Sequence, residues 1–179
     1  MLSVNTRELQ NALRTLGKFT PRRSGIPVLQ CVLVRASGDG LVLSATDLEM
    51  GATICIPAAT GEGSGRVLLN LAQLTAIIGT LRKEEVSLEI AGESVFIERT
   101  RLKSAGDPDE FPALPPLPEH PAGIYQPGAD YETAVRYCAA AISGEITRYP
   151  LTGVYLDFPR GAMVASDGNG CKVDENQKI

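Results

Sequence analysis

The 179-residue sequence has no tryptophan, one histidine and only 5% aromatic residues, too little flat π-surface for a platform on which single-stranded bases stack. No apolar run approaches the roughly 18 residues of a membrane span. The opening Met1-Leu2-Ser3-Val4-Asn5 also lacks the basic-then-apolar order of a signal peptide, so a cytoplasmic protein is expected. Cys31, Cys55, Cys138 and Cys171 are far apart and form no CxxC pair. They sit mostly inside apolar strand or helix patterns, which reads as small core residues rather than metal ligands or a disulfide. The single His120 stands between Glu119 and Pro121 in a proline-rich stretch, a solvated linker position rather than that of a catalytic base. No metal, cofactor or catalytic residue is expected.

What is present is ordinary globular material, with 44% hydrophobic and 21% charged residues and a formal charge of -4. That charge argues against coating nucleic acid with the whole surface but leaves room for a local basic face. Val4 leads into a first helix: Asn5 is a candidate cap, and Leu9, Ala12, Leu13 and Leu16 recur at helical spacing up to Gly17. Arg7, Asn11, Arg14 and Lys18 share the opposite face, so three cations point one way; a solvated face and a phosphate-facing one are both open at this point.

After the basic turn Pro21-Arg22-Arg23-Ser24-Gly25 come three strand-like runs, Val28 to Arg35, Leu41 to Thr46 and Ala52 to Pro57. They are joined across Ser37-Gly38-Asp39-Gly40 and Asp47-Leu48-Glu49-Met50-Gly51. Past the Gly/Ser linker Thr60 to Gly65 the pattern restarts. Arg66 to Leu69 is a strand, Asn70 a cap, and Leu71, Leu74, Ile78 and Leu81 the stripe of a second helix. Glu85 to Ile90, Ser94 to Arg99 and Thr100 to Ser104 then form a second meander. The spacing predicts one strand-helix-three-strand unit used twice.

Pro108 to Pro121 holds six prolines in fourteen residues, an extended connector. Beyond it Gly123 to Gln126 reads as a strand, and Tyr131, Ala134, Val135, Cys138 and Ile142 as a helix ended by Gly144. Leu151 to Phe158, Ala162 to Ser166 and a run after Asp167-Gly168-Asn169-Gly170 follow as strands. An echo links the halves: Ile26-Pro27-Val28 leads to Ala45-Thr46-Asp47, and Tyr149-Pro150-Leu151 leads to Ala165-Ser166-Asp167. The expected organisation is residues 1–119 as one domain of two units (1–59 and 65–107) plus linker, and residues 122–179 as a single further unit. The fold class is α+β, with helices on one face of antiparallel sheets.

Three stretches together, Arg23-Ser24-Gly25-Ile26-Pro27-Val28-Leu29, Leu43-Ser44-Ala45-Thr46-Asp47-Leu48-Glu49-Met50 and Asp109-Glu110-Phe111-Pro112-Ala113-Leu114-Pro115, resemble the bacterial DNA polymerase III β subunit family, the sliding clamps. Arg148-Tyr149-Pro150-Leu151-Thr152-Gly153-Val154 and Val164-Ala165-Ser166-Asp167-Gly168 are similar to that family's middle domain. The resemblance implies a DNA-clamp fold in which helices line a hole around duplex DNA and sheets form the outer wall. A complete family member has three such domains and dimerises head to tail. It implies a non-catalytic processivity factor that binds duplex DNA without sequence specificity and tethers the replicative polymerase.

By that resemblance Arg23 contacts DNA, with Arg7, Arg14, Lys18, Arg22 and Arg148 adding to the lining. Leu151, Ser166, Gly168, Asn169, Gly170 and Cys171 supply one side of a pocket that receives short peptides from the polymerase, the clamp loader and other clamp-binding proteins. Where the family shows an aromatic or His followed by Arg and Leu, this sequence has Asn169-Gly170-Cys171. One alternative is a truncated clamp-like interaction or regulatory module that does not encircle DNA, its unpaired sheet edge inviting self-association. The other is an enzyme using Asp107, Asp109 and Glu110, or Asp167 with Asn169; no Lys or His joins these carboxylates at useful spacing.

Overall fold

A computed structural model describes residues 1–21, 23–38, 40–115 and 129–175. The chain divides into two compact units, Met1–Pro116 and Leu117–Ile179.

The first unit begins with β1 (Leu2–Asn5), which feeds α1 (Thr6–Leu16) directly. The Asn5 side chain accepts from the backbone N–H groups of Arg7 (3.0 Å) and Glu8 (3.1 Å), satisfying two of the helix's free donors. A 3₁₀ turn (Pro27–Gln30) then precedes β2 (Cys31–Ser37), β3 (Gly40–Thr46) and β4 (Gly51–Pro57). The strand expected from Val28 therefore starts at Cys31, because Pro27 opens a 3₁₀ turn whose Leu29 N–H bonds to Ile26 O at 3.2 Å. Thr60–Gly61, expected as linker, forms the short strand β5.

The second repeat follows as β6 (Gly65–Asn70), α2 (Leu71–Thr80), β7 (Glu85–Ala91), β8 (Ser94–Ile97) and β9 (Thr100–Lys103). Asn70 caps α2 as Asn5 caps α1, accepting from Gln73 N–H at 3.1 Å. β8 stops at Ile97, short of the expected Arg99, because Glu98 turns into the left-handed region at φ 53°.

The two repeats do not stand as separate sheets. One sheet runs β4-β3-β2-β6 and the other β5-β1-β7-β8-β9. Each repeat thus gives its leading strand to the other's meander: β6 pairs antiparallel with β2, and β1 with β7. One core results, joining Leu9, Leu13 and Leu16 of α1, Leu74 and Ile78 of α2, and buried residues of β1–β3 and β6–β8. Exchange explains why neither repeat needs a core of its own.

Val67, Leu68 and Leu69 are all buried although strand side chains alternate between faces. Val67 and Leu69 enter the shared core, while Leu68 packs outward with Cys31 and Phe111. The segment that follows β9 covers that outer face. Ala105 N–H bonds to Leu68 O (2.8 Å), Ser104 Oγ accepts from Leu68 N–H (3.1 Å), and Arg66 forks onto Asp109 at 2.6 and 2.9 Å. A side chain at Gly51 would collide with Leu114.

The second unit contains α3 (Tyr131–Ala139), a kinked 3₁₀ segment (Ile146–Leu151), β10 (Tyr155–Asp157), a 3₁₀ turn (Phe158–Arg160), β11 (Ala162–Ser166) and β12 (Cys171–Asp174). α3 ends before the expected Ile142, which is exposed, and Leu151 to Phe158 yields a three-residue strand between two proline-bearing 3₁₀ segments. Ala134 and Cys138 of α3 pack on Met163 and Ala165 of β11. The expected strand at 123–126 and His120 lie outside the described residues. Cys31 and Cys138 are buried, and burial pushes both thiols above their ordinary range. Cys55 and Cys171 are exposed, contrary to the core reading, because each takes an outward register on an edge strand, β4 or β12.

Candidate nucleic-acid and peptide interfaces

α1 buries its apolar stripe and leaves Arg7, Arg14 and Lys18 in solvent; Arg23, after the helix, is exposed as well. Arg14 donates to Asn11 Oδ1 at 3.2 Å, one turn back on the same face. Among the described residues, none of the four cations has a carboxylate at ion-pair distance. Their charge is therefore free for an external anion.

α2 lies beside α1, tied to it where Gln10 Nε2 donates to Ile78 O at 3.1 Å. It carries neither acid nor base in its first or last turn. Arg14, Lys18 and Thr20 face Ala72, Thr75 and Ala76 across a groove of about 640 Å³. The neutral wall matters: it brings no carboxylate to offset the cations within the Debye length of roughly 8 Å at physiological salt. Arg22 lies outside the described residues.

α3 is different. Its Arg136 is matched by Glu132 one turn earlier, at 2.6 Å, so this helix presents a neutralised pair. Arg148 belongs to the second unit and pairs with Glu145 at 3.1 Å. It also stands against the turn that follows β11: a Cβ added to Gly168 would lie 3.0 Å from Arg148 Nη1 and 3.7 Å from Leu151 Cδ1. The structure thus groups Arg148 with the candidate peptide-pocket residues Leu151 and Gly168. Sequence spacing carried no signal for this grouping, because Arg148 sits at the kink of the 3₁₀ segment, with φ -102° and ψ 51°.

The turn itself is held by its own side chains. Ser166 Oγ donates to Gly170 O (2.6 Å) and accepts from Gly168 N–H (3.0 Å), while Asp167 Oδ1 accepts from the N–H groups of Asn169 and Gly170, both at 2.8 Å. Those backbone donors, Gly170 first, hold the Asp167 carboxyl below its usual range, with a smaller contribution from Arg148. Asn169, Gly170 and Cys171 are exposed and Leu151 is half-buried. The arrangement is a hydrogen-bonded, partly apolar rim with a guanidinium beside it.

Of the carboxylates weighed for catalysis, Asp107, Asp109 and Asp167 have structural partners. Asp109 is clamped by Arg66, and Asp107 Oδ1 accepts from Asp109 N–H at 2.9 Å. Among the described residues no group of three His, Cys, Asp or Glu side chains could hold a metal ion. None of the described helices is long and apolar enough to cross a membrane.

Strand-exchanged repeats with paired helices over one core define the class as a DNA-clamp fold, and solved structures agree. The β subunit of DNA polymerase from Streptococcus pyogenes superposes with a TM-score of 0.83 at 20% identity, covering 99% of this chain and 51% of that one. The Helicobacter pylori β clamp bound to a DNA ligase peptide gives 0.77 at 22% identity, covering 99% and 50%. Residues 1–115 match the family model described as DNA polymerase III beta subunit, N-terminal domain. The β sliding clamp of Chlamydia muridarum is 32% identical over 183 residues, 97% of this chain and 49% of the relative. The chain belongs to the DNA polymerase III β subunit family, and it spans about half the length of the curated relatives it matches.

Proposed function

We propose that the chain is a sliding-clamp-type processivity factor, a non-catalytic scaffold that holds duplex DNA without reading its sequence and tethers the replicative polymerase. One observation carries the reading: within a clamp fold, Arg7, Arg14, Lys18 and Arg23 stand exposed on and after α1 and, among the described residues, without a carboxylate at ion-pair distance, beside a helix that brings no opposing charge to the groove between them. Flexible cations of this kind attract phosphates weakly, independently of sequence and with a strong dependence on salt. No rigid base-reading element accompanies them among the described residues, which suits movement along the duplex.

Residues 1–119 act as the DNA-facing domain, and residues 122–179 begin a second, whose Leu151, Ser166, Gly168, Asn169, Gly170 and Cys171 form one side of a peptide-docking rim with Arg148. Short linear motifs of the polymerase, the clamp loader and other clamp-binding proteins are its ligands, as the Helicobacter pylori relative's bound ligase peptide supports. Encirclement requires self-association of the chain, and the working compartment is the cytoplasm. The alternative reading is a clamp-like interaction or regulatory module that docks peptides without enclosing DNA.

Loading onto circular DNA separates the two. With a matching loader and polymerase, a clamp stays on nicked circular DNA and is lost when the circle is cut. Equal loss from circle and linear fragment, with no gain in polymerase run length, rejects encirclement.

A further inference from the structure

Asn169-Gly170 is the one Asn-Gly dipeptide of the sequence, and both residues are exposed in the turn between β11 and β12. Asparagine followed by glycine is chemically labile in water, because with no side chain on the next residue the backbone nitrogen can approach the amide carbon unhindered. The turn does not itself require glycine at 170. Its φ lies outside the left-handed region, unlike that of Gly168, and a Cβ added there would meet no described atom within 4 Å apart from its chain neighbours.

The fold places a restraint on that nitrogen. Gly170 N–H donates to Asp167 Oδ1 at 2.8 Å, and the same oxygen accepts from Asn169 N–H at 2.8 Å, so one carboxylate ties the peptide groups on both sides of Asn169. Ser166 Oγ donates to Gly170 O at 2.6 Å and holds the carbonyl that follows. For a ring to close, Gly170 N must give up its hydrogen bond and turn to Asn169 Cγ. A carboxylate facing the nitrogen also opposes the negative charge that develops there. The adjoining Asp167-Gly168 dipeptide has a similar covalent pattern, but its ionised carboxylate is a poor electrophile.

We propose that Asn169 is a site of spontaneous deamidation on the candidate rim and that the Asp167 carboxylate restrains the reaction in the folded chain. Gly170 N, having lost its proton to solvent base, attacks Asn169 Cγ. The N–Cγ bond forms, the Cγ–Nδ2 bond breaks, and Nδ2 takes a proton from water and leaves as ammonia. Water then opens the cyclic imide at either carbonyl, giving aspartate or isoaspartate, with no oxidation or reduction at any step. Aspartate adds a negative charge to the rim in a turn type that accepts an acid at this place: the β3–β4 turn has the same hydrogen bonds from Thr46 and Asp47 and carries Glu49 there. Isoaspartate instead inserts a side-chain carbon into the main chain and breaks the bonding pattern. The chemistry does not depend on peptide docking, so the two readings stand or fall separately.

Peptide mass mapping and isoaspartate quantification of the full chain, incubated at neutral pH, test the proposal. Loss of Asn169 is expected to be at least about tenfold slower in the folded chain than in urea, the factor set by one hydrogen bond to a charged acceptor. In native buffer Asp167→Ala is expected to recover most of that factor. Asp167→Ser keeps a neutral acceptor and with it the turn, so its rate should fall between those of the parent and Asp167→Ala. Ser166→Ala loosens the turn but leaves Gly170 N–H on its carboxylate, and should change the rate by less than about threefold. Equal rates in the folded and the urea-unfolded parent overturn the proposal, as does an absence of product at Asn169 in urea. So do Asp167 variants that react no faster than the parent, or a Ser166→Ala rate that matches that of Asp167→Ala.

Discussion

Leu48 and Gly168 occupy the same left-handed position, at φ 79° and 89°, in two turns that carry the same side-chain wiring. In the first, Thr46 Oγ1 donates to Met50 O (2.8 Å) and accepts from Leu48 N–H (3.0 Å), and Asp47 Oδ1 accepts from Glu49 N–H and Met50 N–H at 3.0 and 2.6 Å. Ser166 and Asp167 repeat each bond around Gly168. The echo of a small hydroxyl residue followed by Asp is thus a turn motif that forces its third residue to positive φ.

Because a Cβ is strained there, Gly168→Ala is expected to destabilise the fold by about 1–2 kcal/mol. Its Cβ would lie 3.0 Å from Arg148 Nη1, so that guanidinium would have to shift slightly. Leu48→Gly removes the same strain but adds backbone entropy to the unfolded chain, for a net gain of about 0.5 kcal/mol. Urea unfolding midpoints of the two variants should therefore move in opposite directions.

Asp167 links this turn to pH. Its folded pKa lies below the ordinary 3.8 because backbone donors stabilise the carboxylate, so its contribution is present above that value and is lost as pH falls through the folded pKa. Asp167→Asn should be less stable than the parent at neutral pH, and the difference should shrink on acidification below 3.8. A carboxyl-carbon NMR titration of Asp167 is expected to show the lowered midpoint directly.

Phe111 fastens the segment after β9 to the outer sheet face through Leu68 and Cys31. Phe111→Ala is expected to cost about 3 kcal/mol and to expose Cys31 to alkylation. Thermal unfolding and thiol labelling of the variant report the two effects independently.

Local elements were readable because their causes are local. Asn5 and Asn70 announce caps, the leucine spacings announce α1 and α2, and the Gly-rich turns announce hairpins. What escaped depends on partners. The alternation in β1 and β6 specifies which face is buried but not whose sheet receives it, so the exchange of leading strands between the two repeats is seen only in the fold. Pro27 and Pro150 were legible as strand openers, yet both sit in 3₁₀ segments, because proline's fixed φ suits a tight helical turn. Among the site residues, the α1 cations followed from helical periodicity. Arg148 was assigned to DNA by resemblance, and its company of Leu151 and Gly168 arises only when the 3₁₀ segment meets the β11–β12 turn.

Salt dependence of duplex binding addresses the central claim most directly. Fluorescence anisotropy with two duplexes of unrelated sequence should give equal affinities, falling log-linearly with salt. Replacing Arg7, Arg14, Lys18 and Arg23 together by Ala should reduce the slope by roughly 0.9 for each phosphate that is no longer neutralised, while Arg148→Ala leaves it unchanged. A slope that survives the fourfold replacement, or an affinity that differs between the two duplexes, contradicts the account.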